Sequence, residues 1–252
     1  WRKYLLIPRL MLTAAGAPRD QSRAWERYWQ GIRRTGPDGE VLWDAAEPAE
    51  GDLLSSCLRR HADLTLPIVD LGCGSGRQAR MLAELSPRVV GVDRSASAIA
   101  HAGAGDFRVA DIAGAGLGDR LHAELGDANV HIRGVLHVLD DPGRRAVAAN
   151  VAALLGERGT LFLSETDHAG DPLDYLVSQG ATLKGLPPVV DRLVRSGVRA
   201  PRHFSEADQR AVFPPPAWRV LEQGSCEVYG VPLADGGPIQ RIPGRYAVLR
   251  TA

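Results

Sequence analysis

Cysteine is scarce in this chain, and neither sign of charge dominates it. Only Cys57, Cys73 and Cys226 occur among 252 residues, an odd, widely spaced set that argues against a disulfide framework and fits a reducing cytoplasm. Thirty Lys and Arg balance thirty Asp and Glu, so no global field draws the protein to a nucleic-acid backbone or an anionic membrane. No stretch approaches the roughly 20 apolar residues that span a bilayer. Arg2 and Lys3, ahead of an apolar run ending near Ala14, Ala15 and Ala17, superficially resemble a secretory leader, but Pro8 and Arg9 interrupt it. Histidine and cysteine offer no ligand spacing: His131 and His137 do not share a helix face, and Asp140-Asp141-Pro142 reads as a helix start rather than an ion site. No metal is expected.

What is present suits one globular α/β domain with helical additions, at 44% hydrophobic and 24% charged residues. Residues 20–62 read as helical and polar-aromatic, with Trp25, Tyr28, Trp29 and Trp43 around the turn signal Thr35-Gly36-Pro37-Asp38-Gly39. From Ile68 onward, short apolar runs alternate with helical stretches, the signature of βαβ units and a mainly parallel sheet. Strands are predicted near 68–71, 88–92, 106–109, 130–133 and 159–164, and helices near 76–85, 95–102, 118–125 and 143–155. After Glu165 the alternation lapses for about fifty residues, too long for a simple connection, which predicts a helical lid. Trp218–Leu221 and Tyr246–Leu249 read as two closing strands. The expected divisions are a helical cap over 1–62 and a main domain over 63–252 that contains the lid at 166–216.

The chemistry concentrates in Ile68-Val69-Asp70-Leu71-Gly72-Cys73-Gly74-Ser75-Gly76-Arg77, a buried strand leading through a glycine-rich turn into a helix. Glycines let the backbone approach a ligand in conformations that other residues avoid, and the helix aims its N–H groups at what the turn holds. A dinucleotide fingerprint wants G-x-G-x-x-G, but Gly76 comes one residue early and Arg77 stands where the third glycine belongs. A second strand, Val89-Val90-Gly91-Val92, ends in Asp93 followed by Arg94 and Ser95, and a third, Phe107-Arg108-Val109-Ala110, leads to Asp111 and Ile112. The fourth, Val130-His131-Ile132-Arg133, runs into Gly134-Val135-Leu136-His137.

This acidic-x-Gly-x-Gly-x-Gly turn with its two following acids resembles the class I, Rossmann-like S-adenosyl-L-methionine-dependent methyltransferases of small-molecule type, over about residues 68–165. The resemblance implies a seven-stranded, mostly parallel sheet with one antiparallel edge strand and helices on both faces. It also implies a cofactor site at Asp70, Gly72, Gly74 and Gly76, with Asp93 and Arg94 at the ribose and Asp111 and Ile112 at the adenine. Arg133 and Gly134 would lie beside the methyl donor, with Arg133 pairing the donor's carboxylate or an anionic substrate. His137 is the candidate base, having a suitable ordinary pKa, while Trp29, Glu165 and His168 are candidates for substrate contact.

Each assignment has a plainer structural counterpart. Asp93, Ser95 or Asp111 could cap a turn or helix, His137 could be a packed residue, Arg133 could satisfy a strand end, Glu165 and His168 could belong to a solvated loop, and the aromatics could simply pack. No Asn-Pro-Pro-Tyr-type run follows the fourth strand, which together with the neutral charge points to a small-molecule partner and away from nucleic acid or membrane. A cytoplasmic enzyme is expected, and a homodimer is compatible with the sequence. The alternatives left open are a non-methylating enzyme or binding module on the same fold and, less favoured by the glycine spacing, a dinucleotide-dependent oxidoreductase.

Overall fold

The computed structural model describes residues 2–168, 170–199, 203–233 and 237–252. Five parallel strands, β1 (Ile68–Leu71), β2 (Val89–Asp93), β3 (Asp106–Val109), β4 (Asn129–Arg133) and β5 (Leu161–Thr166), are joined by two long ones, β6 (Trp218–Gly230) and β7 (Gln240–Thr251), in the order β3-β2-β1-β4-β5-β7-β6. The expected seven-stranded, mostly parallel sheet is therefore present. Its reversed strand is β7, which pairs antiparallel with both β5 and the edge strand β6. β1 and β5 are buried along their whole length, as strands covered on both faces must be, which is why their sequences are apolar runs rather than alternations. β6 and β7 extend well past the short runs expected for them, and β6 carries a register shift at Val220/Glu222.

Three helices precede the sheet: α1 (Ile7–Thr13), α2 (Gln21–Gln30) and α3 (Pro48–His61). Asp20 starts α2 by accepting the Arg23 N–H. The loop between α2 and α3 is organised by carboxylates, with Glu40 accepting the Arg33 and Arg34 N–H groups and Asp44 accepting that of Gly36. The buried face of α3, Leu54, Cys57 and Leu58, packs on Ile68, Phe162 and Val248 and covers one side of the sheet.

The crossovers are α4 (Arg77–Leu82), α5 (Ala96–Ala102), α6 (Leu117–Leu125) and α7 (Asp141–Leu155). α4 begins one residue later than the helix expected over 76–85, because Gly76 stands before it at φ 72°, outside helical space, and it ends early, at Leu82. α7 begins as its sequence suggests, with Asp140 accepting the Gly143 N–H and Pro142 in its first turn, and stops at Gly156. Its Val147, Val151 and Leu154 join the strand residues Val69, Val130 and Leu163 in the main core.

The segment after β5 forms α8 (Pro172–Ser178), α9 (Pro188–Ser196) and α10 (Glu206–Val212). Residues 169 and 200–202 of the expected lid lie outside those described. The insertion is fastened to the N-terminal segment by Lys3 to Asp174 at 2.6 Å, Arg192 to Glu40 at 2.7 Å, and Gln21 to the Gly197 carbonyl at 3.1 Å. Among the described residues no helix is long and apolar enough to cross a membrane.

Glu222, at the shifted register of β6, ties α3 to the sheet. Its carboxylate accepts from Arg60 at 2.8 Å, from Tyr246 at 2.9 Å, and lies 2.7 Å from His61 Nε2. The Arg60 guanidinium first, then His61, holds the carboxyl at about 2 against an ordinary 4.5. An acid depressed in the folded state stabilises above its unfolded value and loses that contribution as pH falls toward the folded one. Glu222→Gln should therefore lower the melting temperature at neutral pH and flatten its fall between pH 4.5 and about 2, in melts recorded against pH.

Candidate functional site

The carboxyl ends of β1, β2, β3 and β4 open onto one cavity of about 490 Å³, within the range of about 300–1,000 Å³ usual for small-molecule sites. Its floor begins where β1 turns. Gly72, at φ 81°, donates to the Val92 carbonyl at 2.7 Å, and Gly74, at φ 53°, carries the chain over the end of β2. These glycines are required sterically as well as conformationally. A Cβ at Gly72 would meet Val135 Cγ2 at 2.5 Å, and one at Gly74 would meet the Trp29 ring at 3.0 Å.

Asp93 secures the turn. Its Oδ2 accepts the Gly74 N–H and its Oδ1 the Ser95 N–H, both at 2.9 Å, and the carboxylate lies on the cavity wall. Burial pushes this carboxyl upward, while the two backbone N–H groups oppose the shift. Ser95 itself caps α5, accepting the Ala98 N–H. Asp111 stands on the same wall with Arg94, whose Nη2 donates to Asp111 Oδ2 at 3.0 Å, and Asp111 Oδ1 accepts the Ala113 N–H. Ile112, 7% exposed, lies between this wall and the main core.

The expected residues therefore divide. Gly72, Gly74, Asp93, Arg94, Asp111, Ile112, Arg133, Gly134, His137 and Trp29 line the cavity. Asp70, Gly76, Glu165 and His168 are not on its wall. Asp70 is buried beneath the turn, 2.7 Å from His131 Nδ1, with Oδ2 lacking a partner among the described residues. Gly76 makes room for the Phe107 ring, 2.5 Å from where its Cβ would be. His168 packs edge-on against Tyr175.

Two charged residues differ from expectation in their engagement. The Arg133 guanidinium is already bound to the Glu50 carboxylate, to the Trp43 carbonyl at 3.1 Å and to the Tyr229 carbonyl at 3.3 Å, so it clasps the cap to the sheet. Glu165 is wholly buried, neither a rim contact nor a solvated loop residue. It accepts the N–H groups of Val135, Leu136 and His137 at 3.0, 2.8 and 3.3 Å, and lies 2.6 Å from His137 Nδ1. His137 occupies the one-turn helix Leu136–Val138 that this carboxylate pins beside β4.

Away from the strand ends the wall is largely apolar, with Arg199 as its charged member. Leu10, Met11 and Ala14 come from the run that resembles a leader, Leu193 and Val194 from α9, and Val228 and Ile242 from the two long strands. Sequence reading did not find these. Period-2 alternation in β6 is interrupted at Gly224 and Ser225, and nothing local marks α1 as part of a wall. The helical spacing of Leu10 and Ala14 was the available signal.

The comparisons agree with this geometry. Residues 68–159 match the family model of the methyltransferase domain. A SAM-dependent methyltransferase from Anabaena variabilis is 26% identical, with 94% of this chain and 97% of that one covered at a TM-score of 0.80. A protein solved in connection with the conversion of a disulfide bond into a thioacetal group during echinomycin biosynthesis is 18% identical over 91% and 92%, TM-score 0.66. A SAM-dependent methyltransferase from Methanosarcina mazei is 15% identical over 77% and 95%, TM-score 0.53. At those last two identities the likeness is one of fold. Among curated protein sequences none matches. The chain carries a methyltransferase domain on a class I, Rossmann-like fold. It is an enzyme whose methyl donor is S-adenosyl-L-methionine.

Gly72→Ala places a methyl against Val135 at a positive φ. It should destabilise the fold by about 1–3 kcal/mol and weaken donor binding, read by thermal melts and by calorimetry with S-adenosylhomocysteine.

Proposed function

We propose that this enzyme methylates a small, largely apolar acceptor, with the donor at the carboxyl ends of β1, β2 and β3 and the acceptor under the N-terminal cap (1–62) and the helical insertion (166–216). The observation that carries this reading is the convergence of Gly72, Gly74, Asp93 and Asp111 on one cavity whose remaining wall is largely apolar.

The residues present fit the donor. A turn held open by glycines whose Cβ atoms would strike Val135 and Trp29 leaves backbone exposed to a ligand. Asp93 is placed to accept the ribose hydroxyls, and Asp111 the adenine amine with Ile112 against the ring. Asp70, off the wall and paired with His131, backs the turn from beneath and does not touch the donor. When bound, the donor supplies an electrophilic sulfonium methyl, so the protein's task is to align the acceptor for in-line attack and to keep water out. The apolar wall of α1, α9 and the long strands excludes water. His137 is the candidate base, on the wall with its Nδ1 held by Glu165.

Calorimetry tests the donor site. S-adenosylhomocysteine should bind, nicotinamide dinucleotide should not, and Asp93→Ala should weaken binding by about 10²-fold through loss of charged hydrogen bonds. Dinucleotide binding without S-adenosylhomocysteine binding overturns the reading.

A further inference from the structure

Glu165 is fully buried, yet three backbone N–H groups and one imidazole nitrogen converge on its two oxygens. A carboxylate arranged this way offers only acceptor sites, so the proton between it and His137 belongs to Nδ1. The other nitrogen, Nε2, makes no hydrogen bond among the described residues and is not sealed within the protein. His137 thus presents a lone pair, not an N–H, at the cavity wall, with an anion behind it to stabilise the imidazolium formed on taking a proton.

The wall adds a second constraint. Among the described residues its carboxylates are Asp93 and Asp111, at the strand ends assigned to the donor, and its guanidinium groups are those of Arg133, Arg94 and Arg199, each within ion-pair distance of a carboxylate, Arg199 with Asp140 at 3.9 Å. The apolar part offers no counter-ion to a cationic amine, which would enter desolvated and unpaired.

From these two observations we infer that Glu165 is the positioning residue that fixes His137 as a base, and that the acceptor is a neutral, apolar molecule methylated on a hydroxyl of phenol or enol type. This rests on the donor site proposed above. In the reaction His137 Nε2 takes the hydroxyl proton and the acceptor oxygen forms the new O–CH3 bond. The methyl–sulfur bond breaks with its electron pair left on sulfur, giving a neutral thioether, and the imidazolium beside Glu165 afterwards releases its proton to solvent. A thioether or tertiary amine acceptor has no proton to lose and would leave this pair idle.

The test uses the whole protein, labelled with ¹⁵N-histidine and loaded with S-adenosylhomocysteine, with the His137 resonances assigned by their loss in His137→Gln. Long-range ¹H–¹⁵N spectra at pH 8 should show Nδ1 protonated and Nε2 bare. Adding 2-naphthol should move the Nε2 signal, while 2-naphthylmethylammonium should bind about tenfold more weakly or worse, lacking a counter-ion. Glu165→Gln should shift the ring toward the Nε2–H form and weaken naphthol about tenfold. An Nε2–H ring in the wild type, or an unchanged ring in Glu165→Gln, removes the positioning role. If that variant does not fold, the wild-type spectrum alone decides. Absent naphthol binding, or equal binding of the ammonium, overturns the hydroxyl assignment. Failure of S-adenosylhomocysteine to bind overturns instead the donor site beneath it.

Discussion

The Asp93 carboxylate, holding the N–H of Gly74 with one oxygen and that of Ser95 with the other, is the contact on which the site depends. Parallel pairing brings the ends of β1 and β2 side by side, but pairing alone leaves the turn after β1 free to take several paths. One acidic side chain fixes that path, sets the start of α5, and remains at the cavity wall. Burial works against its charge, and the two N–H groups are what make an anion tolerable there. A ligand offering hydroxyls to the same oxygens would relieve the burial cost further, so the arrangement is electrostatically incomplete without one.

A similar logic holds at β4 and β5, with opposite results for the two residues. Arg133 and Glu165 are both buried charges at strand ends, and both are satisfied within the protein. Arg133 has the Glu50 carboxylate and two carbonyls, Glu165 three amides and an imidazole. Removing one member of such a set leaves the other buried and unpaired, which costs far more than the pair contributes. Arg133 thereby joins the cap, β4 and β6 into one piece. Glu165 shapes the short helix that follows β4, so the orientation of His137 comes from a residue on the neighbouring strand rather than from its own segment.

The parts legible in the sequence are those governed by local rules. β1 to β5 and their crossovers follow from apolar runs, caps and stops close together in the chain, and Asp140 with Gly143 and Gly156 behaves as its spacing suggests. Gly72, Gly74, Asp93 and Asp111 were readable because a turn and a strand end carry them. The roles of Arg133 and Glu165 were not, because their partners lie 83 and about 30 positions away in sequence. At Gly76 the fold adds a packing requirement that the turn motif does not reveal, since a Cβ there would strike the Phe107 ring. The cavity's apolar wall was hidden for a related cause: α1, α9, β6 and β7 are separate in the chain and meet only in the fold.

The aromatic residues of the cap show that packing and pocket are not competing descriptions. Trp29 is 2% exposed and meets Tyr28 edge-on, with ring centres 5.6 Å apart. Tyr28 in turn stacks on Trp43 at 5.5 Å. The cluster also receives Leu193 and Val198 from the insertion, so it is the core by which cap and insertion hold each other. Yet the outer edge of the Trp29 ring lies over Gly74, where a Cβ would come within 3.0 Å. The side chain that anchors α2 therefore also sets how small residue 74 must be. The cap and the loop that Asp93 secures thus meet at one indole edge, and a single residue type at position 74 serves both the packing of the cap and the path of the turn.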